Sequence, residues 1–441
     1  MTSGSVRSLT LLATASVLLA CAPAREQSTE TAGAAEPYLH DAAFRRATLV
    51  ASLVSAGNEY SRVRLASYDT GDANDWSRLA EWNPRVEPLT LADLDEVGGA
   101  RARSPLGPAA RALDVSAAAL HGDEAALLAL GEDAFFRYPV QLAPEAALAT
   151  ASRDAFSQYG FWSDAVRGAG GVVRVELPSG TPTFAYTCAT CHGARRDGRL
   201  VLGVPNDRLD LGVLELDAAT RGGPVDPTLG AMWRSWGPGR LDVTTLVGAE
   251  PVRIADLRPV KWLTHLQADA TVAQKDRATL AVRIETLLVT VHSASSRPPR
   301  AVALGLAAYV WSLADTLPVP PSAASRGEAV FMATCARCHA PPAFTGPPVP
   351  LDVVGTDPAI GLSPVRGTGN YRVPSLHGVS TRGPLLHDAS LPGLTQMFDP
   401  RRLDDDFDGG RHGRGPVRGH VFGLSLADAD RAALLAYLAT L

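Results

Sequence analysis

Cysteine, lysine and long apolar runs are all scarce in this chain of 441 residues. Five cysteines are too few for a disulfide scaffold of this length. Lysine occurs only at Lys261 and Lys275, so arginine supplies nearly all of the positive charge, and the net charge is −5. A chain with that balance lacks the basic surface that nucleic-acid binding requires, and we expect no nucleic-acid partner.

The one notable apolar run lies near the N-terminus. Arg7 precedes it, and the run over residues 9–20 is too short to span a bilayer. This layout is typical of a secretory signal peptide, which we assign to residues 1–20. The Leu-Leu-Ala-Cys sequence at residues 18–21 resembles a bacterial lipobox, and the resemblance implies cleavage before Cys21 and lipidation of its sulfur. An ordinary signal peptide followed by an accidental cysteine is the alternative.

A short polar segment follows the predicted cleavage site. Residues 21–36 are mostly small and polar, which predicts a flexible tether. Two or more acyl chains suffice for stable attachment to a membrane. We therefore expect a periplasmic protein that is lipid-anchored to the inner or the outer bacterial membrane.

The other four cysteines form two copies of the pattern C-x-x-C-H, at residues 188–192 and 335–339. In this pattern two thiols bond covalently to the vinyl groups of one porphyrin, and the adjoining histidine binds the iron. The sequence therefore predicts two covalently bound haem c groups. The predicted attachment and ligand residues are Cys188, Cys191, His192, Cys335, Cys338 and His339.

Zinc binding and thiol redox chemistry are the alternatives for paired cysteines. Two C-x-x-C knuckles can supply the four ligands of a structural zinc, but a zinc knuckle does not need a histidine directly after each second cysteine. A thioredoxin-type pair follows a strand and opens a helix, whereas a helix is predicted to precede Cys335. Two haems account for the pattern better than either alternative.

The region before the first motif contains no cysteine apart from Cys21. Its apolar residues recur at helical spacing, so residues 37–170 are predicted to form a helical N-terminal domain of unknown role. Residues 172–177 and 181–186 alternate apolar and polar side chains around a Pro-Ser-Gly turn. A small β-hairpin is therefore predicted directly before the first haem motif.

One sequence segment is repeated in the middle and at the end of the chain. Residues 308–313 are Ala-Tyr-Val-Trp-Ser-Leu, and residues 436–441 are Ala-Tyr-Leu-Ala-Thr-Leu. Each copy is predicted to lie in the helix that closes a haem domain. The predicted fold class is thus mainly α, with cytochrome c-like domains at residues 171–316 and 317–441 that follow the helical N-terminal domain.

Several segments of the second domain carry a family likeness. Residues 327–339, Tyr-Arg-Val-Pro-Ser-Leu at 371–376, Gly-Pro-Leu-Leu-His-Asp at 383–388 and the closing helix resemble the C-terminal domain of bacterial dihaem cytochrome c peroxidases. Gly-His-Val-Phe-Gly at 419–423 is more similar to the dihaem rubber oxygenases of the same superfamily, and that resemblance implies that His420 is an axial ligand. The first motif lies much further from the N-terminus than in the peroxidases, so their activity is not carried over.

The sixth ligand of each iron decides between electron transfer and catalysis. A histidine or methionine gives an electron-transfer haem, whereas an open position binds peroxide or dioxygen. For the second haem the resemblance favours His420, and the other candidates are Met397, His387 and His377. For the first haem His265 is preferred, and the alternatives are Met232, His292 or an open position. Haem propionates are expected to bind Arg372 and Arg382, since guanidinium groups suit carboxylates.

These observations predict a dihaem c-type cytochrome that transfers electrons outside the cytoplasm between redox partner proteins. The alternative is a haem-dependent peroxidase or oxygenase in which one haem, preferably the first, is open to peroxide or dioxygen. No acid–base pair stands out in the sequence, so we assign no catalytic residues.

Overall fold

The computed structural model of the protein describes residues 35–95, 104–116, 123–177, 179–242, 249–319 and 325–441. The predicted signal peptide, Cys21 and nearly all of the tether lie outside the described residues. The described residues belong to one compact unit, and the division into three domains stays a prediction. Helices account for 40% and strands for 12% of the structure, which confirms the mainly-α fold class. Within the described ranges, no helix combines the length and the apolar character needed to cross a bilayer.

The helices alternate with short strands along the whole chain. The α-helices of the described residues are α1 Ala35–His40, α2 Ala42–Ser52, α3 Glu59–Ser67, α4 Glu124–Arg137, α5 Ala146–Ala149, α6 Arg153–Gln158, α7 Cys188–Cys191, α8 Leu211–Gly222, α9 Pro227–Trp236, α10 Arg277–Val291, α11 Arg300–Ser312, α12 Arg326–Thr334, α13 Leu351–Val354, α14 Leu394–Met397 and α15 Asp428–Leu438.

The strands are short, and most of them pair only with one neighbour. They are β1 Val86–Pro88, β2 Gln141–Leu142, β3 Ser163–Asp164, β4 Gly168–Ala169, β5 Val172–Glu176, β6 Pro182–Tyr186, β7 Gly193–Arg196, β8 Arg199–Leu202, β9 Arg240–Leu241, β10 Val252–Arg253, β11 His265–Leu266, β12 Val272–Ala273, β13 Val349–Pro350 and β14 Asn370–Tyr371.

The predicted hairpin before the first haem motif is confirmed. β5 and β6 pair antiparallel from Val172 opposite Tyr186 to Glu176 opposite Pro182. β1 and β2 extend the hairpin to a four-stranded sheet in the order β1-β5-β6-β2. Val173 and Val175 are buried in this sheet, so the hairpin is anchored where β6 enters the motif.

Two helix pairs cross in the same way, one in each half of the chain. In the first crossing, a Cβ atom on Gly131 of α4 would lie only 2.0 Å from the carbonyl oxygen of Gly305 in α11. Only glycine permits this approach of the two backbones. Phe135 and Tyr309, each four residues further along its helix, bring their ring centres to within 5.2 Å of each other.

The second crossing joins α12 and α15 with matching residues. A Cβ atom on Gly327 would lie 2.1 Å from the carbonyl oxygen of Ala433, and the rings of Phe331 and Tyr437 lie 5.4 Å apart. Both crossings thus contain a glycine, an aromatic residue four positions later and a tyrosine of the closing helix. The repeat seen in the closing helices therefore extends to α4, which lies inside the region predicted to be the N-terminal domain.

The N-terminal helices are attached to α10 by a buried polar network. Tyr38 and Tyr68 both donate their hydroxyl hydrogen bonds to Oε2 of Glu285, at 2.8 and 2.6 Å. Arg45 forms two hydrogen bonds with the carboxylate of Asp69, at 2.7 and 3.2 Å. Buried polar groups need such partners. Residues of α1 to α3 and of α10 pack in the same hydrophobic core as Cys188 of the first motif.

Candidate haem-binding sites

The second C-x-x-C-H motif follows directly from the end of α12. Ser-Arg-Gly-Glu at residues 325–328 is a capping-box sequence pattern, which predicts a helix start at Ser325. The hydroxyl of Ser325 caps this helix by accepting a hydrogen bond from the backbone N–H of Glu328 at 3.1 Å. The backbone N–H groups of Cys338 and His339 both donate to the carbonyl of Cys335, at 3.1 and 3.0 Å. One tight turn therefore holds both cysteines and the histidine.

The first motif is held by the end of the hairpin. The hydroxyl of Thr187 donates to the carbonyl of Gly171 at 2.8 Å, and Thr190 accepts from the backbone N–H of Thr187 at 3.2 Å. A side chain at Gly171 would collide with the backbone nitrogen of Thr190, 2.7 Å away. The N–H of His192 donates to the carbonyl of Cys188 at 3.0 Å, which closes the turn α7.

The histidines of both motifs are oriented in the same way. Nδ1 of His192 lies 3.0 Å from the carbonyl oxygen of Ala255, and Nδ1 of His339 lies 3.2 Å from that of Phe344. A carbonyl only accepts, so Nδ1 carries the proton and Nε2 keeps a lone pair for a metal. Burial lowers the pKa of each histidine to about 4, and both are therefore neutral at physiological pH.

His420 faces His339. The two ring centres are 6.3 Å apart, with an angle of 60° between the ring planes. Two imidazole nitrogens that bind one metal from opposite sides, each at about 2 Å, place their ring centres roughly 6 Å apart. The spacing of His339 and His420 thus fits a pair of axial ligands on one iron. Burial, with a contribution from the charge of Arg402, lowers the pKa of His420 to about 4.

Arg402 fixes the loop that carries His420. Its buried guanidinium donates to the carbonyl oxygens of Met397, Gly419 and His420, at 3.1, 2.8 and 2.9 Å. The backbone N–H of His420 donates to the carbonyl of Val354 at 2.6 Å. His420 has a φ of 46°, a left-handed conformation that is uncommon for a residue other than glycine and that surrounding contacts must maintain.

An open depression of about 480 Å³ is lined by residues of α13 and by Thr356, Pro358 and Leu362. Neither His420 nor any residue of the second motif lines it. The fit of a haem therefore rests on the second motif and the histidine pair.

The four cysteines of the motifs are free thiols that are partly buried. Burial raises the pKa of Cys188 and Cys191 to about 12 and that of Cys335 to about 11. Zinc binds the thiolate form, which burial disfavours here. In the part of the chain that the structure describes, no three His, Cys, Asp or Glu side chains cluster as metal ligands.

The other candidates for the second sixth ligand are engaged elsewhere. His387 stacks on Tyr371 at 4.6 Å, and Nε2 of His377 lies 2.9 Å from the carbonyl oxygen of Pro342. Met397 is buried in the apolar core of this half of the chain. Among the described residues, His420 is the candidate whose ring pairs with that of His339.

The first site shows no comparable pair. Nδ1 of His265 lies 3.1 Å from the hydroxyl of its neighbour Thr264. His292 lies edge-on to Trp82 at 4.9 Å, with its Nε2 3.1 Å from the carbonyl of Pro139. In the described ranges no ring pair joins His192 to another histidine, and the sixth ligand of the first haem, including His265, stays a prediction.

Two carboxyl groups near the first motif were not singled out by sequence reasoning. Burial, and then the charge of Glu145, raises the pKa of Glu215 to about 7. Burial also raises the pKa of Glu145, and Tyr186, close to both carboxyl groups, packs in the same core as Cys191. Glu145 is the N-cap of α5, Tyr186 ends β6 and Glu215 lies in α8. No local sequence motif therefore indicates that they are close in space.

An aromatic contact also joins the two halves of the chain. Trp262 stacks on His377 with ring centres 4.0 Å apart, and His377 lies edge-on to Phe344 at 5.1 Å. The carbonyl of Phe344 is the acceptor for His339. The indole of Trp262 is thereby connected to His339 through His377 and Phe344.

No protein-family model matches this chain, and no curated protein matches it. A solved structure described as a MauG-like protein associated with microbial copper homeostasis is similar at a TM-score of 0.31 and 18% sequence identity. The alignment covers 47% of this chain and 79% of that chain. A TM-score of this size carries no argument, so the functional conclusion rests on the two motifs and their geometry.

Proposed function

We propose that the protein is a dihaem c-type cytochrome that carries out electron transfer outside the cytoplasm. The observation that supports this most directly is the pair of His339 and His420, whose rings are spaced as two axial ligands of one iron. A haem with two histidine ligands has no open coordination position and is suited to electron transfer.

The chain's own residues would hold each haem in a defined state. When bound, haem c supplies a one-electron couple. The carbonyl oxygens of Ala255 and Phe344 keep the proton of His192 and His339 on Nδ1. Arg402 ties the carbonyls of Gly419 and His420 to that of Met397 at the end of α14, which limits the rearrangement that a change of redox state requires.

A second candidate function is activation of peroxide or dioxygen at the first haem. Two observations favour it: His192 has no histidine opposite it in the described ranges, and Glu215, with a pKa raised to about 7, lies in the same region. A carboxyl that titrates near neutral pH is suited to general acid–base work. In this case the second haem would supply or store electrons.

The proposed location and partners rest on the sequence alone. We propose that Cys21 carries a lipid anchor, and that the protein works in the periplasm with redox partner proteins. Radiolabelled fatty acid incorporation in the producing bacterium tests this, with Cys21→Ser as the matched control. Label in both proteins, or in neither, would contradict the anchor.

The decisive experiment is low-temperature EPR of the oxidised protein, with haem content quantified by mass spectrometry. An electron carrier is expected to contain two haems and to give two low-spin signals without a high-spin signal. One high-spin signal beside one low-spin signal would favour the second candidate. A preparation without covalent haem would refute both.

A further inference from the structure

A cluster of four arginines borders both C-x-x-C-H motifs. Asp256 contacts two of them, and the charges of Asp388 and Asp269 act on Arg253 and Arg372 respectively. Asp256 accepts hydrogen bonds from Arg258 at 3.0 and 2.7 Å, and its Oδ2 is 3.5 Å from Nε of Arg382. Burial, and then the charges of Arg382 and Arg372, lowers the pKa of Arg253 to about 9. Four guanidinium groups therefore lie near one another, with one carboxylate in direct contact.

Two members of this cluster have no carboxylate of their own. Among the described residues, no ion pair is formed by Arg253 or Arg372. Nη1 of Arg253 and Nε of Arg372 are buried and lack a hydrogen-bond partner within the chain. Burying a charged donor without a partner is costly, so an anionic acceptor is expected at this position.

The cluster borders both proximal histidines. Asp256 directly follows Ala255, the residue that accepts from His192. On the other side, Arg382 donates to the carbonyl of His377 at 2.8 Å, and its charge contributes to the lowered pKa of His339. Arg253 is itself bound to the second half, since its backbone N–H donates to the carbonyl of His387 at 2.8 Å.

We infer that Arg253 and Arg372, with Arg258, Arg382 and Asp256, form one carboxylate-binding site that takes propionates from both haems. The inference rests on the proposed function, because it requires a haem at each motif. Guanidinium groups bind carboxylates through paired hydrogen bonds, and a positive charge near a haem favours its reduced form. A site shared in this way couples the two haems electrostatically. Arg253, which lies in no motif, would then influence the midpoint potentials of both haems.

The test is spectroelectrochemical titration of both haems in the Arg253→Gln and Arg372→Gln variants over roughly pH 5 to 8. The matched control is Arg199→Gln, which removes the same charge from an exposed position on β8. Each test variant is expected to lower both midpoint potentials at neutral pH. It should also make them fall with rising pH, since a carboxylate released from the arginines regains a higher pKa. The control should change neither property.

The charge-preserving variant Arg253→Lys separates charge from folding. It should retain both haems and potentials close to those of the parent protein. If Arg253→Gln loses haem while Arg253→Lys retains it, the positive charge is required for haem retention and the inference stands. If both glutamine variants keep two haems with the potentials and pH profile of Arg199→Gln, the inference is overturned while the dihaem assignment remains. Absence of haem from the parent protein would instead refute the proposed function.

Discussion

The histidines of the two C-x-x-C-H motifs share one contact and differ in another. His192 and His339 each donate an Nδ1–H to a backbone carbonyl. Only His339 faces a second histidine ring in the described part of the chain. At the scale of single residues, the two motif histidines are therefore held in the same way but have different neighbours.

Replacing His420 by alanine tests the axial pair. Loss of this ligand is expected to convert the second haem from low-spin to high-spin, because histidine contributes the ligand field that an empty position lacks. EPR and the optical spectrum of the oxidised protein measure the change. His412→Ala, at an exposed histidine in the same region, should leave the spectrum unchanged. An unaltered spectrum of His420→Ala would remove His420 as the ligand.

The raised pKa of Glu215 predicts a pH-dependent stability. The pKa rises from 4.5 to about 7 on folding, so the folded chain binds more protons between these values. Stability contributed by this group is fully present below the lower value and is lost as the pH rises towards 7. Glu215→Gln should therefore stabilise the protein at pH 8 by on the order of 2 kcal/mol, and leave it unchanged near pH 4.5.

Thermal unfolding at both pH values measures the effect of Glu215→Gln. Glu59→Gln provides the control at an exposed carboxyl on α3. Equal changes in melting temperature in the two variants, or destabilisation by Glu215→Gln at pH 8, would show that burial does not raise the pKa of Glu215.

At the scale of elements, two helix crossings organise the two halves. α4 meets α11 at Gly131 and Gly305, and α12 meets α15 at Gly327 and Ala433. In both crossings an aromatic ring from the first helix packs against a tyrosine of the closing helix. In the second half the first helix runs directly into its motif, whereas in the first half three strands of the four-stranded sheet, β2, β5 and β6, lie between α4 and Cys188 along the chain.

Gly327→Ala tests the second crossing. The added Cβ would lie 2.1 Å from the carbonyl oxygen of Ala433, so the helices must separate. Overpacking of this kind costs about 1–3 kcal/mol, and the second haem should be incorporated less completely. Thermal unfolding and haem content per chain are the measurements.

The control for this variant is Gly222→Ala, at the end of α8. A Cβ there would meet nothing within 4 Å, and the expected change in stability is about 0.5 kcal/mol or less. If Gly327→Ala changed thermal stability and haem content no more than Gly222→Ala, the close approach of the two backbones would not be needed for the fold.

At the scale of the whole molecule, the two motifs lie within one compact unit. Aromatic, hydrogen-bonding and arginine contacts connect the two halves. Under the proposed function, however, the covalent bonds of each haem depend only on the cysteines of its own motif. The molecule is thus expected to tolerate the loss of one haem while it retains the other.

Replacing both cysteines of one motif should remove one haem and leave the other. The Cys188→Ser/Cys191→Ser variant is expected to keep the low-spin signal of the second haem, and Cys335→Ser/Cys338→Ser is expected to lose it. Intact-protein mass spectrometry counts the haems, and EPR identifies which one remains. Two covalent haems in either variant would refute the assignment of that motif.

The sequence by itself determined the features that depend on near neighbours along the chain. The C-x-x-C-H spacing predicts the attachment residues, the alternation over residues 172–186 predicts the hairpin, and the capping pattern at Ser325 predicts the start of α12. These features are local, because a hairpin or a helix cap forms between residues only a few positions apart.

Only the tertiary structure decided which distant residues meet. The resemblance already favours His420 as the sixth ligand, and the structure adds the contact between its ring and that of His339. This contact depends on a loop held by Arg402, and no local pattern encodes it. The pairing of α4 with α11 joins positions 131 and 305, so the sequence placed α4 outside the first haem unit. The site formed by Arg253, Arg372 and Arg382 assembles in the same way, since electrostatic and packing contacts between distant segments exist only after the chain has folded.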